Sequence, residues 1–147
     1  MGWVNNSQSD LIAGRLVSAA GKGPIVLIIE DHPSQAEFLA TIVTSLGYSF
    51  ELASDGSEGL SCLQRVRPVL ILLDLNMPQF DGLGFLKRFK ARGAFADVPV
   101  IVITASQSID TITKVCSMGA RDFIAKPVDP ATLIAKVQKH APIKTRR

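Results

Sequence analysis

Val69-Leu70-Ile71-Leu72-Leu73-Asp74 decides the architecture of this chain. Five aliphatic residues run without interruption and stop on a carboxylate. A run that short and that apolar suits a strand covered on both faces, as parallel sheets require. Upstream, Ile25-Val26-Leu27-Ile28-Ile29 repeats the pattern and ends on Glu30-Asp31. Downstream, Val100-Ile101-Val102-Ile103 repeats it again and ends on Thr104. Two shorter runs, Phe50-Ala53 and Phe123-Ala125, complete a set of five, the last followed by Lys126.

Segments with helical periodicity follow each run, at roughly 34–46, 56–66, 83–92, 107–118 and 130–140. In the first, Phe38, Leu39, Ile42, Val43 and Leu46 keep the spacing of one buried stripe, and Gly47 stands where a left-handed terminator is wanted. Strands alternating with helices predict a parallel sheet with helices on both faces. Ser49-Phe50-Glu51-Leu52 alternates polar and apolar, which places the second strand at a border and the first and third inside. The predicted fold is therefore α/β: a flavodoxin-like (βα)5 doubly wound five-stranded parallel sheet of order 2-1-3-4-5.

The chain has 147 residues, close to one domain at roughly 150 residues each. Hydrophobic residues make up 47% and charged residues 20%, which excludes a disordered chain, a collagen and a disulfide scaffold. No apolar run approaches the ~20 residues of a membrane span. Sixteen basic against thirteen acidic residues leave +3, too little to argue for nucleic acid. Lys136, Lys139, Lys144, Arg146 and Arg147 supply that excess near the end, where they read as a solvated helix face and a tail. Cys62 and Cys116 each fall in a helical apolar pattern and read as buried reduced thiols. With no secretory signal pattern, the expected location is cytoplasmic. Residues 1–23 read as an extension, partly flexible or holding a short amphipathic helix within Leu11-Ala20, before Gly21-Lys22-Gly23-Pro24 breaks regular structure. The expected domain is 24–141, followed by a basic tail at 142–147.

In a parallel sheet, the ends of these runs share the carboxyl edge, where ligands bind in open α/β proteins. Glu30, Asp31, Asp74, Thr104 and Lys126 are thereby gathered into one small region. Each has an ordinary alternative. Asp31 could cap the following helix, as Asp55 before Gly56 is expected to do; Thr104 could simply end a strand, and Lys126 could be solvated. Clustered carboxylates, however, repel one another without a cation. An oxygen-only set suits a hard ion, Mg²⁺ (or Mn²⁺), which keeps waters and binds phosphate. His32 and His140 are isolated in sequence and offer no zinc site. One carboxylate could then attack phosphorus, with Thr104 and Lys126 receiving the phosphoryl oxygens.

Leu72-Leu73-Asp74-Leu75-Asn76-Met77-Pro78 with Asp81-Gly82 resembles the phosphoacceptor segment of bacterial response-regulator receiver domains. Ile28-Ile29-Glu30-Asp31, Val102-Ile103-Thr104-Ala105 and Gly119-Ala120-Arg121-Asp122-Phe123-Ile124-Ala125-Lys126-Pro127 resemble its other motifs, over roughly residues 24–140. The resemblance implies that Asp74 accepts a phosphoryl group from a histidine kinase or histidine phosphotransfer protein. It implies Mg²⁺ held by Asp31, Asp74 and the backbone carbonyl of Asn76, with Glu30 helping through a water. Thr104, Ala105 and Lys126 would bind the phosphoryl group, and the Lys126-Pro127 bond would be cis. Thr104 and Phe123 would form the switch, Asn76 and Ser106 would tune turnover, and 107–140 would be the readout face.

Two features depart from the commonest pattern. The first acid is Glu30 rather than Asp, and the switch aromatic is Phe123 rather than Tyr, which leaves plain core packing as its alternative role. Only about eight residues follow Lys139, so no output domain and no direct nucleic-acid contact are expected. The expected state is a monomer or a weak phosphorylation-dependent dimer, and the expected chemistry is confined to the protein's own phosphorylation and dephosphorylation. Three alternatives stand beside this: a pseudo-receiver that is never phosphorylated, a haloacid-dehalogenase-type phosphatase and a flavin-binding flavodoxin. The phosphatase needs a second Asp where Asn76 stands, and an amide cannot shuttle a proton. The flavodoxin needs stacking aromatics, whereas the only Trp is Trp3 and the only Tyr is Tyr48.

Overall fold

The computed structural model describes residues 23–76, 82–106 and 108–143, together with the backbone of two short strands near the N-terminus. Five strands, β1 (Ile25–Ile29), β2 (Ser49–Ala53), β3 (Leu70–Asp74), β4 (Val100–Thr104) and β5 (Asp122–Ala125), form one sheet of order β2-β1-β3-β4-β5. All four pairings are parallel. The helices are α1 (Pro33–Ser45), α2 (Gly56–Cys62), α3 (Gly82–Lys90), α4 (Ile109–Ser117) and α5 (Pro130–His140). This is the flavodoxin-like order expected from the apolar runs, with β2 at the border.

The sheet has two buried faces because alternate strand residues point to opposite sides. Val26, Ile28, Leu70, Leu72, Ile101 and Ile103 pack with Leu39 and Val43 of α1 and with Leu133 and Val137 of α5. Leu27, Ile29, Ile71, Leu73, Val100 and Val102 pack instead with Phe85, Leu86 and Phe89 of α3 and with Val115 of α4. Two helices therefore cover one face and three the other. Continuous aliphatic strands are a consequence of that double cover.

Helix ends follow local chemistry. Asp55 caps α2 by accepting the Glu58 N–H at 2.8 Å, while Ser108 and Asp129 cap α4 and α5 in the same way. Gly47 ends α1 at φ +102°, a conformation costly for any residue with a Cβ. The residue before α1 is His32 in extended conformation, with no side-chain cap bond, so Asp31 is not the cap of that helix.

Three expectations need correction. Helix α2 stops at Cys62 rather than near 66, because tight turns (Gln64 N–H to Ser61 O, Arg65 N–H to Cys62 O) redirect the chain toward Pro68. Cys62 is buried as expected, but Cys116 is exposed, since α4 buries only Val115 and the adjacent position is rotated away from the core. Within Leu11–Ala20, Leu11–Ile12 pair antiparallel with Arg15–Leu16, so these residues form a short ladder rather than helix. The rest of the extension, Met77 to Asp81 of the acceptor motif, Gln107 and residues 144–147 lie outside the described residues. No described helix is long and apolar enough to cross a membrane.

Candidate functional site

Register brings the site together. Ile29 lies beside Leu73 and Asp74 beside Ile103, while Thr104 lies beside Ala125. The residues that end four strands thus stand in one row at the carboxyl edge. Carboxylate oxygens of Glu30, Asp31 and Asp74 lie within 4.8 Å of one another. Glu30 and Asp74 are buried, whereas Asp31 is exposed at the mouth.

Two donors among the described residues hold Asp74. Its Oδ1 receives Lys126 Nζ at 2.8 Å and the Asn76 N–H at 2.9 Å. A charge-assisted bond to a carboxylate that is only 3% exposed is strongly orienting. Lys126 is positioned from the neighbouring edge, where its N–H donates to Thr104 O at 3.0 Å and its bond to Pro127 is cis, as the resemblance implies.

Glu30 carries the strain of the cluster. Burial, then the Asp74 charge, push its carboxyl up to about 7, although the His32 N–H bonded to its Oε2 at 3.1 Å pulls the other way. Its Oε1 is buried and has no hydrogen-bond partner among the described residues. A buried acceptor of that kind is destabilising unless a cation, a proton or a water satisfies it. Three carboxylates converging there, one of them with an orphaned oxygen, fit a hard divalent ion with bound waters.

The β4 end supplies the remaining groups. Thr104 is buried, and its Oγ1 accepts the Ser106 N–H at 3.0 Å. Ala105 donates its N–H to Asn76 Oδ1 at 2.7 Å, tying the β3 and β4 loops together. Ser106 Oγ donates to Thr111 Oγ1 at 3.2 Å, at the start of α4. The Asn76 amide is therefore occupied as a structural acceptor, in the position where a phosphatase of the dehalogenase type needs an acid.

Phe123 is half-buried and packs against the α3–α4 side of the core. Lys136 Nζ lies 5.0 Å from its ring centroid, donates to Phe123 O at 2.6 Å and pairs with Asp122 Oδ1 at 2.9 Å. His140 Nε2 meets the other Asp122 oxygen at 2.9 Å. Burial raises the Asp122 carboxyl, but the bonds from Lys136, His140 and the Phe123 N–H outweigh it and hold it at about 2. This corrects two expectations: Lys136 is not a solvated charge, and His140 is not isolated. The i, i+4 spacing of Lys136 and His140 on α5 was the available signal; the strand opposite them was not readable from it.

Fold and edge define an open, doubly wound α/β protein whose reactive groups lie at the carboxyl ends of its strands. Within that class, residues 26–138 match the response regulator receiver domain, and the chain belongs to that family, the receivers of two-component signalling systems. It is 35% identical over 113 residues to a probable transcriptional regulator, ycf27, of Porphyridium aerugineum, covering 77% of this chain and 46% of that protein. The chain spans about half the length of the curated relatives it matches. Among solved structures, chemotaxis protein CheY4 of Vibrio cholerae superposes with a TM-score of 0.76 at 28% identity, covering 81% of this chain and 99% of that one. The receiver domain of a sensor histidine kinase from Pseudomonas aeruginosa superposes at 0.74, also at 28% identity, over 83% of this chain and 100% of that one, and that structure holds a magnesium ion in its active-site cleft.

Proposed function

We propose that the chain is a phosphorylation-activated receiver that takes a phosphoryl group on Asp74 from a histidine kinase or histidine phosphotransfer protein. The observation that carries this is the pairing of buried Asp74 with Lys126 at 2.8 Å beside two further carboxylates. In the transfer, the P–N bond of the phosphohistidine breaks as a bond forms from phosphorus to an Asp74 oxygen. The imidazole leaves with the electron pair of that P–N bond.

The protein's own residues orient and neutralise. Lys126 and the Asn76 N–H fix the rotation of the Asp74 carboxylate, and burial keeps it from exchanging between water-solvated rotamers. Asp31, Asp74 and the backbone carbonyl of Asn76 would hold Mg²⁺ or Mn²⁺, with Glu30 acting through a water. When bound, the ion would neutralise charge on the transferred oxygens. The Ala105 N–H, the Thr104 hydroxyl and Lys126 would then receive the phosphoryl group. Because Thr104 Oγ1 also accepts the Ser106 N–H, moving its hydroxyl toward the phosphoryl group would pull on or release that bond, which links phosphorylation to the β4–α4 loop. Phe123, beside that strand, would follow Thr104 and relay the change to the 107–140 face, where a downstream protein docks. Asn76 and Ser106 flank the approach and would set the lifetime of the acyl phosphate.

On this reading the protein acts in the cytoplasm, as a monomer or weak phosphorylation-dependent dimer. It catalyses only its own phosphorylation and dephosphorylation, and this chain itself contacts no nucleic acid. The test is transfer from a radiolabelled, histidine-phosphorylated phosphotransfer domain in the presence of Mg²⁺. Label should move to the wild-type chain and not to Asp74→Asn. Label retained by the donor under conditions where a known receiver accepts it would favour a pseudo-receiver.

A further inference from the structure

A cavity of about 370 Å³ opens where α3 and α4 end, on the opposite edge of the sheet from Asp74. Its size is at the small end of ligand sites, which run from roughly 300 to 1,000 Å³. The walls are apolar: Leu86, Phe89 and Val98 are buried, and Phe95 and Met118 are partly exposed beside them. The aromatic wall is fixed in place. Phe89 stacks on Phe85 with centroids 5.8 Å apart and meets Phe95 at 6.0 Å. Arg67 sits 5.2 Å from the Phe95 centroid and is itself anchored to Ala94 O and Asp97, both at 2.6 Å.

The mouth is positively charged. Lys90 and Arg121 line it, both are exposed, and among the described residues neither pairs with a carboxylate. None of the described lining residues is acidic. Gly119, at φ +109°, leaves that part of the rim without a side chain, and a Cβ there would come within 3.6 Å of Lys90 Cδ. Two helix C-termini carry roughly −0.5 of a charge each, so about one cation would balance them. Basic residues exceed that number: Lys87, Arg88 and Lys90 in the last turn of α3, Arg92 just beyond it, Lys114 in the last turn of α4 and Arg121 after it. The surplus is positive.

We infer that this cavity binds a compact apolar acid, a flat aromatic carboxylate whose ring lies among Phe89, Phe95 and Met118 and whose anionic group faces Lys90 and Arg121. Aromatic walls and a polarisable thioether suit a flat ring. Two unpaired cations at one end fix its orientation. The site is separate from the phosphoacceptor chemistry and does not depend on it.

The test is a titration of the ¹⁵N-labelled full chain with 2-naphthoate, followed by amide shifts, beside the uncharged 2-naphthalenemethanol. Saturable shifts confined to the neighbourhood of Phe89, Phe95, Met118 and Gly119, with the acid binding more tightly than the alcohol, are expected. Reversing both charges (Lys90→Glu with Arg121→Glu) should weaken 2-naphthoate about tenfold or more and leave the alcohol unchanged, because two exposed attractions are replaced by repulsions. Ala96→Trp, at an exposed lining position, should abolish both while the spectrum stays dispersed. Absence of saturable shifts, shifts centred on the Asp74 edge, or equal affinity for acid and alcohol would each overturn the inference.

Discussion

Replacing Asp122 by Asn removes the carboxylate that gathers Lys136 and His140 against the start of β5. In the folded protein that group is lowered from 3.8 to about 2, by bonds from Lys136, His140 and the Phe123 N–H that overcome the effect of burial. Its side chain is only 16% exposed, so solvent screening is modest. A folded pKa below the unfolded one means stability that is present above the unfolded value and lost as pH falls through the folded one. The linkage is worth about 2 kcal/mol at neutral pH, with about half gone by pH 3. Urea denaturation of the wild type and Asp122→Asn at a series of pH values reads the difference directly. The gap should be about 1 to 2 kcal/mol at pH 7, since the amide keeps part of the hydrogen bonding, and should close between pH 5 and 2. A gap that stays constant across that range would refute the ion network as its cause. Because the same carboxylate anchors Lys136 beside the Phe123 ring, the Phe123 ring resonances should also shift in the variant.

Other outcomes follow from the same geometry. Mg²⁺ at about 100 times its dissociation constant should stabilise the chain by ~2.7 kcal/mol, a shift that EDTA reverses and that Asp31→Asn largely removes, read as thermal midpoint. Lys126→Met should leave the chain folded, because Lys126 is at the rim, yet slow phosphoryl uptake at least about a hundredfold by removing a positioned charge, read as single-turnover transfer. Gly47→Ala should cost about 1 kcal/mol or more in urea denaturation, because φ +102° is strained for alanine and its Cβ would come within 3.3 Å of Ile143 Cδ1. An unchanged midpoint would mean that the turn relaxes without penalty.

What the sequence revealed, and what it hid, divides along physical lines. Strands buried on both faces must be aliphatic throughout, so Ile25–Ile29, Leu70–Asp74 and Val100–Thr104 were legible, and so was the half-polar border strand at Ser49. Once the strands are parallel, the residues ending them fall on one edge, which is why Glu30, Asp31, Asp74, Thr104 and Lys126 could be grouped before any coordinates. The Asp122 network was hidden because it joins the start of one strand to the far end of α5, a pairing set by how that helix lies on the sheet. Cys116 was misread because a nine-residue helix with one fully buried position carries too little pattern to fix which side faces in. The orphaned oxygen of Glu30 was likewise beyond reach: composition shows that carboxylates cluster, while only packing shows which one loses water.

The most direct measurement of the central claim is intact mass after incubation with Mg²⁺ and acetyl phosphate, with Asp74→Asn beside the wild type. One added phosphoryl group on the wild type, absent from the variant and abolished by EDTA, is the expected result. A wild-type mass that does not change under several small donors, or a gain that persists in Asp74→Asn, would contradict Asp74 as the acceptor.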